Sequence, residues 1–317
     1  SRRRHTRFKC DWSSDVCSSD LKPIRFILPF GPGGVADTTS RLVAEKLGDK
    51  LGQRLVVENM PGAGGISAAR AALQAGNDGY ALALVTNGNA ISVPLFKSLP
   101  YDPVKDFVPV SSIGTFECLL IVNASSPYKT LEDWIKVAKE KPGKLNIGSP
   151  QVGTTQNLAA EVFVSSAGLS AQIVPFNGTP PVITALRGGN LDAMVEILGP
   201  VMGQIKSGAL RPLAVLSDKR GAALPDVPAV REAGGNLANF NVASWNGLSV
   251  PAKTPQDIVM RLNRELQVIL AMPDVKARLS ELSLYAQGST PEQVGDILQA
   301  DIKRWADVIQ RAKIEKK

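Results

Sequence analysis

Apolar and polar positions along the chain follow two rhythms that take turns. A short β-rich run over residues 23–28 leads into the turn Pro29-Phe30-Gly31-Pro32-Gly33-Gly34. The pattern then changes to helical spacing, with Val43, Leu47 and Leu51 on one face, which predicts a helix over 35–51. Residues 55–58 read as the next strand, closed by a second glycine turn, Pro61-Gly62-Ala63-Gly64-Gly65. A helix over 66–74 and a strand over 80–85 follow. Strand, helix, strand, helix, strand at this spacing predicts a parallel sheet covered by helices. Such a sheet binds ligands at the carboxyl ends of its strands, where both glycine turns lie.

After Pro127 the alternation restarts. A helix is expected over 130–139, opened by Thr130 with Asp133 three residues on, the spacing of an N-terminal cap. Strands are expected over 144–148, 172–175, 191–195 and 210–216, with helices over 155–165, 181–187 and 201–207 between them. A strand over 247–251 precedes three helices, 254–270, 274–282 and 291–314. The chain is therefore read as α/β with two domains. The first is discontinuous, 21–119 plus 247–317, and the second, 120–246, is inserted in it, with crossings near 119–123 and 245–249.

Composition narrows the functions open to such a fold. Hydrophobic residues make up 44% of 317, and no apolar run reaches the length a membrane span needs. The net charge of +7 is scattered, and aromatics are only 5%, so no nucleic-acid partner is expected. The basic group Arg311, Lys313, Lys316 and Lys317 reads as a solvated helix tail. Residues 1–20 stand apart: they hold His5, Cys10, Cys17 and Trp12, and a basic start without the apolar stretch of a secretory signal. They resemble adaptor-derived sequence and are expected to be non-native or disordered, standing where a signal peptide belongs. The body without them has no histidine and one cysteine, Cys118, in an apolar strand. Zinc sites and Ser-His-Asp or Cys-His catalysis are thereby excluded, and neither metal nor cofactor is expected.

The candidate chemistry lies at strand ends. In the turn from Phe30 to Gly34, Gly31, Gly33 and Gly34 allow backbone N–H groups to point at an anion before a helix N-terminus, or simply make a tight turn. No Gly-Lys-Ser/Thr follows, so this is not a nucleotide phosphate loop. Asp37 falls in the first helical turn, where it caps free N–H groups or reaches the pocket through water. In the second unit Ser149, Gly153, Thr154 and Thr155 form the facing turn. Thr86, Asn87 and Asn89 end the third strand, Asn177, Gly178 and Thr179 the strand at 172–175. Glu196 ends another, where a carboxylate favours a hydroxyl- or amino-bearing ligand. Trp245 lies at a crossing as core or pocket wall.

The stretch PIRFILPFGPGGVAD from Pro23 to Asp37 resembles the opening of the extracytoplasmic receptors of the tripartite tricarboxylate transporter family. The similarity continues through VENMPGAGG from Val57, LPYDPVKDF from Leu99, FNGT from Phe176 and ALPDVP from Ala223. The resemblance implies a type II periplasmic-binding-protein fold, two α/β domains closing on a ligand cleft. It also implies export to the periplasm, a small organic acid as ligand, and large and small membrane transporter subunits as partners of a monomeric receptor. Many relatives carry His where this chain has Asn157. Two other functions fit the residues: a ligand-responsive signalling protein, or a transferase-like enzyme using Asp37, Glu196 or a lysine, although no pair of these has diagnostic spacing.

Overall fold

The computed structural model describes residues 22–221, 223–311 and 313–317. The segment 1–20 lies outside the described residues. Ten strands form one mixed sheet in the order β2-β1-β3-β9-β4-β7-β5-β6, with β8 and β10 also pairing to β4. At one end, β1 (Ile24–Leu28), β2 (Leu55–Asn59) and β3 (Ala81–Thr86) are parallel, joined by α1 (Val35–Leu51) and α2 (Ile66–Gln74). At the other, β5 (Asn146–Ser149), β6 (Gln172–Pro175) and β7 (Ala193–Ile197) are parallel, with α5 (Thr155–Ser166) and α6 (Thr179–Arg187) between them. The helix α4 (Leu131–Glu140) precedes β5, and its Thr130 and Asp133 form the reciprocal cap that their spacing predicts.

Two long strands join the halves. β4 (Phe107–Asn123) pairs antiparallel with β9 (Ala243–Pro251) through Glu117, then with β7 and β8 (Leu210–Val215) from Cys118 on. β9 also pairs antiparallel with β3, so the first sheet is mixed and not purely parallel as its strand-helix alternation predicts. Strands this buried carry near-continuous apolar runs, and Cys118 through Val122 have no exposed surface. α8 (Gln256–Ala271), α9 (Pro273–Glu281) and α10 (Pro291–Arg311) return to the first half, and between α9 and α10 the two-residue strand β10 (Tyr285–Ala286) pairs with β4. Leu262, Leu266, Ile269, Leu298 and Trp305 bury the apolar faces of α8 and α10.

Three local readings needed correction. Residues 87–95 form a helix, α3 (Asn87–Leu95), where the sequence suggests a polar turn. Its breakers, Gly88 and Pro94, are outweighed by a capping box: the Thr86 hydroxyl accepts from the Gly88 amide, and the Asn89 side chain accepts from the Thr86 amide. Burial of Ala90, Ile91 and Leu95 does the rest. The basic C-terminal group is also more than a solvated tail, because the Lys317 backbone pairs with Leu95 and Lys97. α7 (Leu198–Lys206) begins directly at the end of β7, three residues earlier than its periodicity suggests.

Candidate functional site

The carboxyl ends of β1 and β3 face those of β5, β6 and β7 across a cleft of about 520 Å³, counting its open mouth. From the first half it is lined by Phe30, Gly31, Gly34, Val35, Ala36, Thr86 and Gly88, and from the second by Pro150, Gln151, Thr154, Thr155, Gln156, Gly178, Thr179 and Ile197. Phe116, Ser244 and Asn246, on the two crossing strands, form its floor. None of these described lining residues is Lys, Arg or His.

Positive potential comes from the backbone instead. α1 starts after Gly34 and α6 after Gly178, and no side chain caps either helix. Their first turns therefore keep N–H groups available to an anion, with the positive ends of both helix dipoles behind them. The two N-termini face each other: a Cβ on Gly34 would lie 3.3 Å from the Thr179 hydroxyl. Pro180 and Pro181 leave α6 with fewer N–H donors in its first turn, which makes the Thr179 amide its main offering. α5 differs, because the Thr154 hydroxyl accepts from the Asn157 amide at 3.2 Å and caps it.

The sequence-derived candidates divide by position. Phe30, Gly31, Gly34, Thr86, Thr154, Thr155, Gly178 and Thr179 line the cleft. Gly153 lines an adjoining recess with Gly64, Gly65 and Asn89. Asn177 is exposed, with its carbonyl near Gly31. Asp37, Asn87, Ser149 and Glu196 are buried behind the surface, and Gly33 is exposed without lining the cleft. The Gly33 amide donates to Asp37 Oδ2 at 3.0 Å, and Gly33 has φ +84°, a conformation that suits glycine. Asp37 also accepts from Arg41 and Asn59, and Asn59 in turn donates to the Phe30 carbonyl. Burial alone would raise the Asp37 carboxyl, but the hydrogen bonds from Arg41, the Gly33 amide and Asn59 outweigh it and hold it below its ordinary value. Asp37 is thus the brace of the glycine turn. Ser149 is buried, accepting from Asn157 at 3.0 Å.

Glu196 is completely buried, and no cation neutralises it among its described neighbours. Its Oε1 accepts from Gln156 at 2.9 Å and from the Ile197 amide at 2.8 Å, which fixes Gln156 in the cleft wall. Burial pushes this carboxyl up, against those hydrogen bonds and the nearby Thr179 hydroxyl. The adjacent Cys118 thiol is pushed up as well, by burial and then by Glu196 and Glu117, so it stays an unreactive thiol. Among the described residues no group of His, Cys, Asp and Glu is arranged to hold a metal.

Polar side chains tie the two halves together around the cleft. Gln151 donates to the Pro29 carbonyl at 2.8 Å. Trp305 donates to Asn87 at 2.7 Å, Asn87 to the Thr155 hydroxyl at 3.3 Å, and Ser244 to the same hydroxyl at 2.9 Å. Sequence reading took the 149–155 turn, which holds Gln151, as the facing wall, but missed Gln156, Ser244 and Asn246. A single glutamine, or a lone serine in an apolar run, carries no motif, and only the period-two alternation of β9 could have placed Ser244 and Asn246 together on one face.

Two α/β units joined by crossing strands, with a cleft lined by turns from both, define a two-domain solute-binding protein of the type II periplasmic-binding fold. A periplasmic transporter of known structure matches with a TM-score of 0.86 at 33% identity, covering 95% of this chain and 100% of its own. An R. palustris protein solved with adipate has a TM-score of 0.88 at 31% identity, covering 92% of this chain and 98% of its own. MatC from Rhodopseudomonas palustris, solved with bound malate, gives 0.85 at 31%, covering 92% and 99%. The family model "Tripartite tricarboxylate transporter family receptor" matches residues 39–314. BugT of Bordetella pertussis (strain Tohama I) is 32% identical over 91% of this chain and 89% of its own length. The chain belongs to the tripartite tricarboxylate transporter receptor family.

Proposed function

We propose that this receptor captures a small carboxylate in the cleft between its halves, in the periplasm, and delivers it to large and small membrane subunits of a tripartite transporter. The observation that carries this reading is the convergence of two uncapped helix N-termini, α1 and α6, on one cleft. A carboxylate is the small anion that main-chain donors hold well, since each charge-assisted hydrogen bond contributes roughly 1.5–3 kcal/mol and several converge. The relatives solved with adipate and malate support the same ligand class. In this reading Phe30, Gly31, Gly34, Thr86, Thr154, Thr155, Gly178 and Thr179 contact the ligand, while Gly33, Asp37, Asn87, Ser149 and Glu196 shape the loops. The moving units are 21–119 with 247–317, and 120–246, and closure on the ligand brings them together. The natural protein is exported by a signal peptide.

Native mass spectrometry of the purified protein, to catch a co-purified acid, followed by calorimetry with that acid, tests the reading. A bound carboxylate that lowers the radius of gyration in small-angle scattering is the expected result. A saturating carboxylate that leaves the domain separation unchanged, or binds outside the cleft, overturns it. Turnover of the bound acid would overturn the receptor assignment in favour of an enzyme.

A further inference from the structure

The floor of the cleft holds one polar group that the fold leaves without a partner. Asn246 lies on β9, between β3 and β4, opposite Thr86 on one side and Gly114 on the other. Alternation along β9 puts Ser244 and Asn246 on the cleft face, where both line it, while Trp245 faces the other way into a separate groove against α10. Ser244 is satisfied by Thr155, and Trp245 by Asp301 at 2.8 Å. Asn246 is different: it is 1% exposed, and its Nδ2 has no hydrogen-bond partner. Buried polar groups in folded proteins are nearly always paired, and of the described buried side chains with an unpaired atom Asn246 is the one that lines the cleft, where a ligand can supply the partner. Its described neighbours make their hydrogen bonds elsewhere. The Thr86 hydroxyl is committed to the Gly88 amide and Asn89, and Gly114 offers no side chain. A ligand oxygen is the acceptor this position lacks, and a half-turn of the terminal amide lets Asn246 present its NH₂ to whichever oxygen reaches the floor.

We propose that Asn246 is a ligand-holding residue, donating from its side-chain amide to an oxygen of the bound acid at the floor of the cleft. The proposal rests on the reading that the cleft takes a small carboxylate. It assigns the floor a directional donor that complements the helix N-termini on the walls, and it makes β9, a strand that joins both halves, the element that senses an occupied cleft.

The test compares wild type with Asn246→Leu and Asn246→Asp by calorimetry against benzoate, adipate, malate and citrate. Asn246→Leu keeps the size and removes the donor, so affinity for whichever acid binds should fall roughly 10- to 150-fold, the equivalent of one hydrogen bond to a charged group. Its melting temperature without ligand should hold or rise, because an unpaired buried donor has gone. Asn246→Asp sets a carboxylate against the ligand, so it should bind the acid more weakly than Asn246→Leu at about pH 7. If wild type binds an acid and Asn246→Leu binds it equally well, the proposal falls and the carboxylate reading stands. If Asn246→Leu instead melts well below wild type without ligand, Asn246 is a structural residue and the proposal also falls. If wild type binds none of the four, the carboxylate reading falls and takes the proposal with it.

Discussion

Gly88→Ala should weaken ligand binding while leaving the unliganded protein about as stable as before. Gly88 is the second residue of α3, and its backbone needs no left-handed conformation. An alanine there would normally favour the helix by up to about 1 kcal/mol. The added methyl would stand 3.1 Å from the Thr86 hydroxyl, a crowding that offsets part of that gain. Its other neighbour lies across the cleft: the Gly153 carbonyl at 3.0 Å, a backbone atom that cannot swing aside. Relieving such a contact takes a shift of a few tenths of an ångström, and overpacking of this kind costs about 1–3 kcal/mol. If the proposed opening of the halves separates these two residues, the open protein avoids the contact and the cost falls on closure. Affinity should drop about 5- to 150-fold. Thermal melts without ligand, calorimetry with the bound acid, and small-angle scattering at saturation measure the three quantities. An affinity within twofold of wild type, with the same compaction, would refute the view that Gly88 and Gly153 meet only when the cleft shuts.

Three further outcomes are expected. Gly33→Val should cost about 1–3 kcal/mol of stability, because Gly33 has φ +84° and a Cβ there meets Pro180 at 3.4 Å, and it should weaken carboxylate binding; calorimetry showing unchanged affinity in the folded variant would remove this turn from the site. Asp37→Ala strips the acceptor from Gly33, Arg41 and Asn59 and should cost about 1–3 kcal/mol in urea melts near pH 7. Because Asp37 titrates below its ordinary value, its contribution is present above the unfolded carboxyl's range and lost as pH falls, so the two proteins should converge between about pH 5 and 3. Glu196→Gln should behave in the opposite sense. Burial raises the Glu196 pKa, so its penalty is absent below about pH 4 and grows as pH rises through the unfolded carboxyl's range. The variant should melt above wild type at pH 7 and together with it at pH 4, and an equal difference at both would show that the effect is not one of charge.

How far the sequence reached depended on where the information sits. The glycine turn before α1, the cap at Thr130 and the strand-helix alternation are local, and residues 24–86 and 131–215 follow them closely. α3 was not legible, because Asn87, Gly88, Asn89 and Pro94 speak locally for a turn, and only the packing of Ile91 and Leu95 on distant elements decides for a helix. The antiparallel insertion of β9 between β3 and β4 was not legible either, since pairing partners far apart in sequence leave no local mark. At the site, residue types suggested that Asp37 and Glu196 bear on a ligand. The structure places Asp37 behind a turn and Glu196 behind Gln156, and puts Asn246, which has no motif, in the wall.

A cleft without a basic side chain changes where affinity comes from. Helix N-termini and hydroxyls are dipoles, and water competes with them far better than with a guanidinium, so they grip an anion only once water is excluded. In the proposed closure the halves meet through Gln151 on the Pro29 carbonyl, Asn87 on Thr155, and the approach of Gly88 to Gly153. A receptor that closes this way can have its affinity tuned at Asn87 or Gly88 without altering the helix N-termini proposed to hold the acid. Opening the halves would rehydrate those dipoles and loosen the acid, since no described lining residue carries a positive side chain.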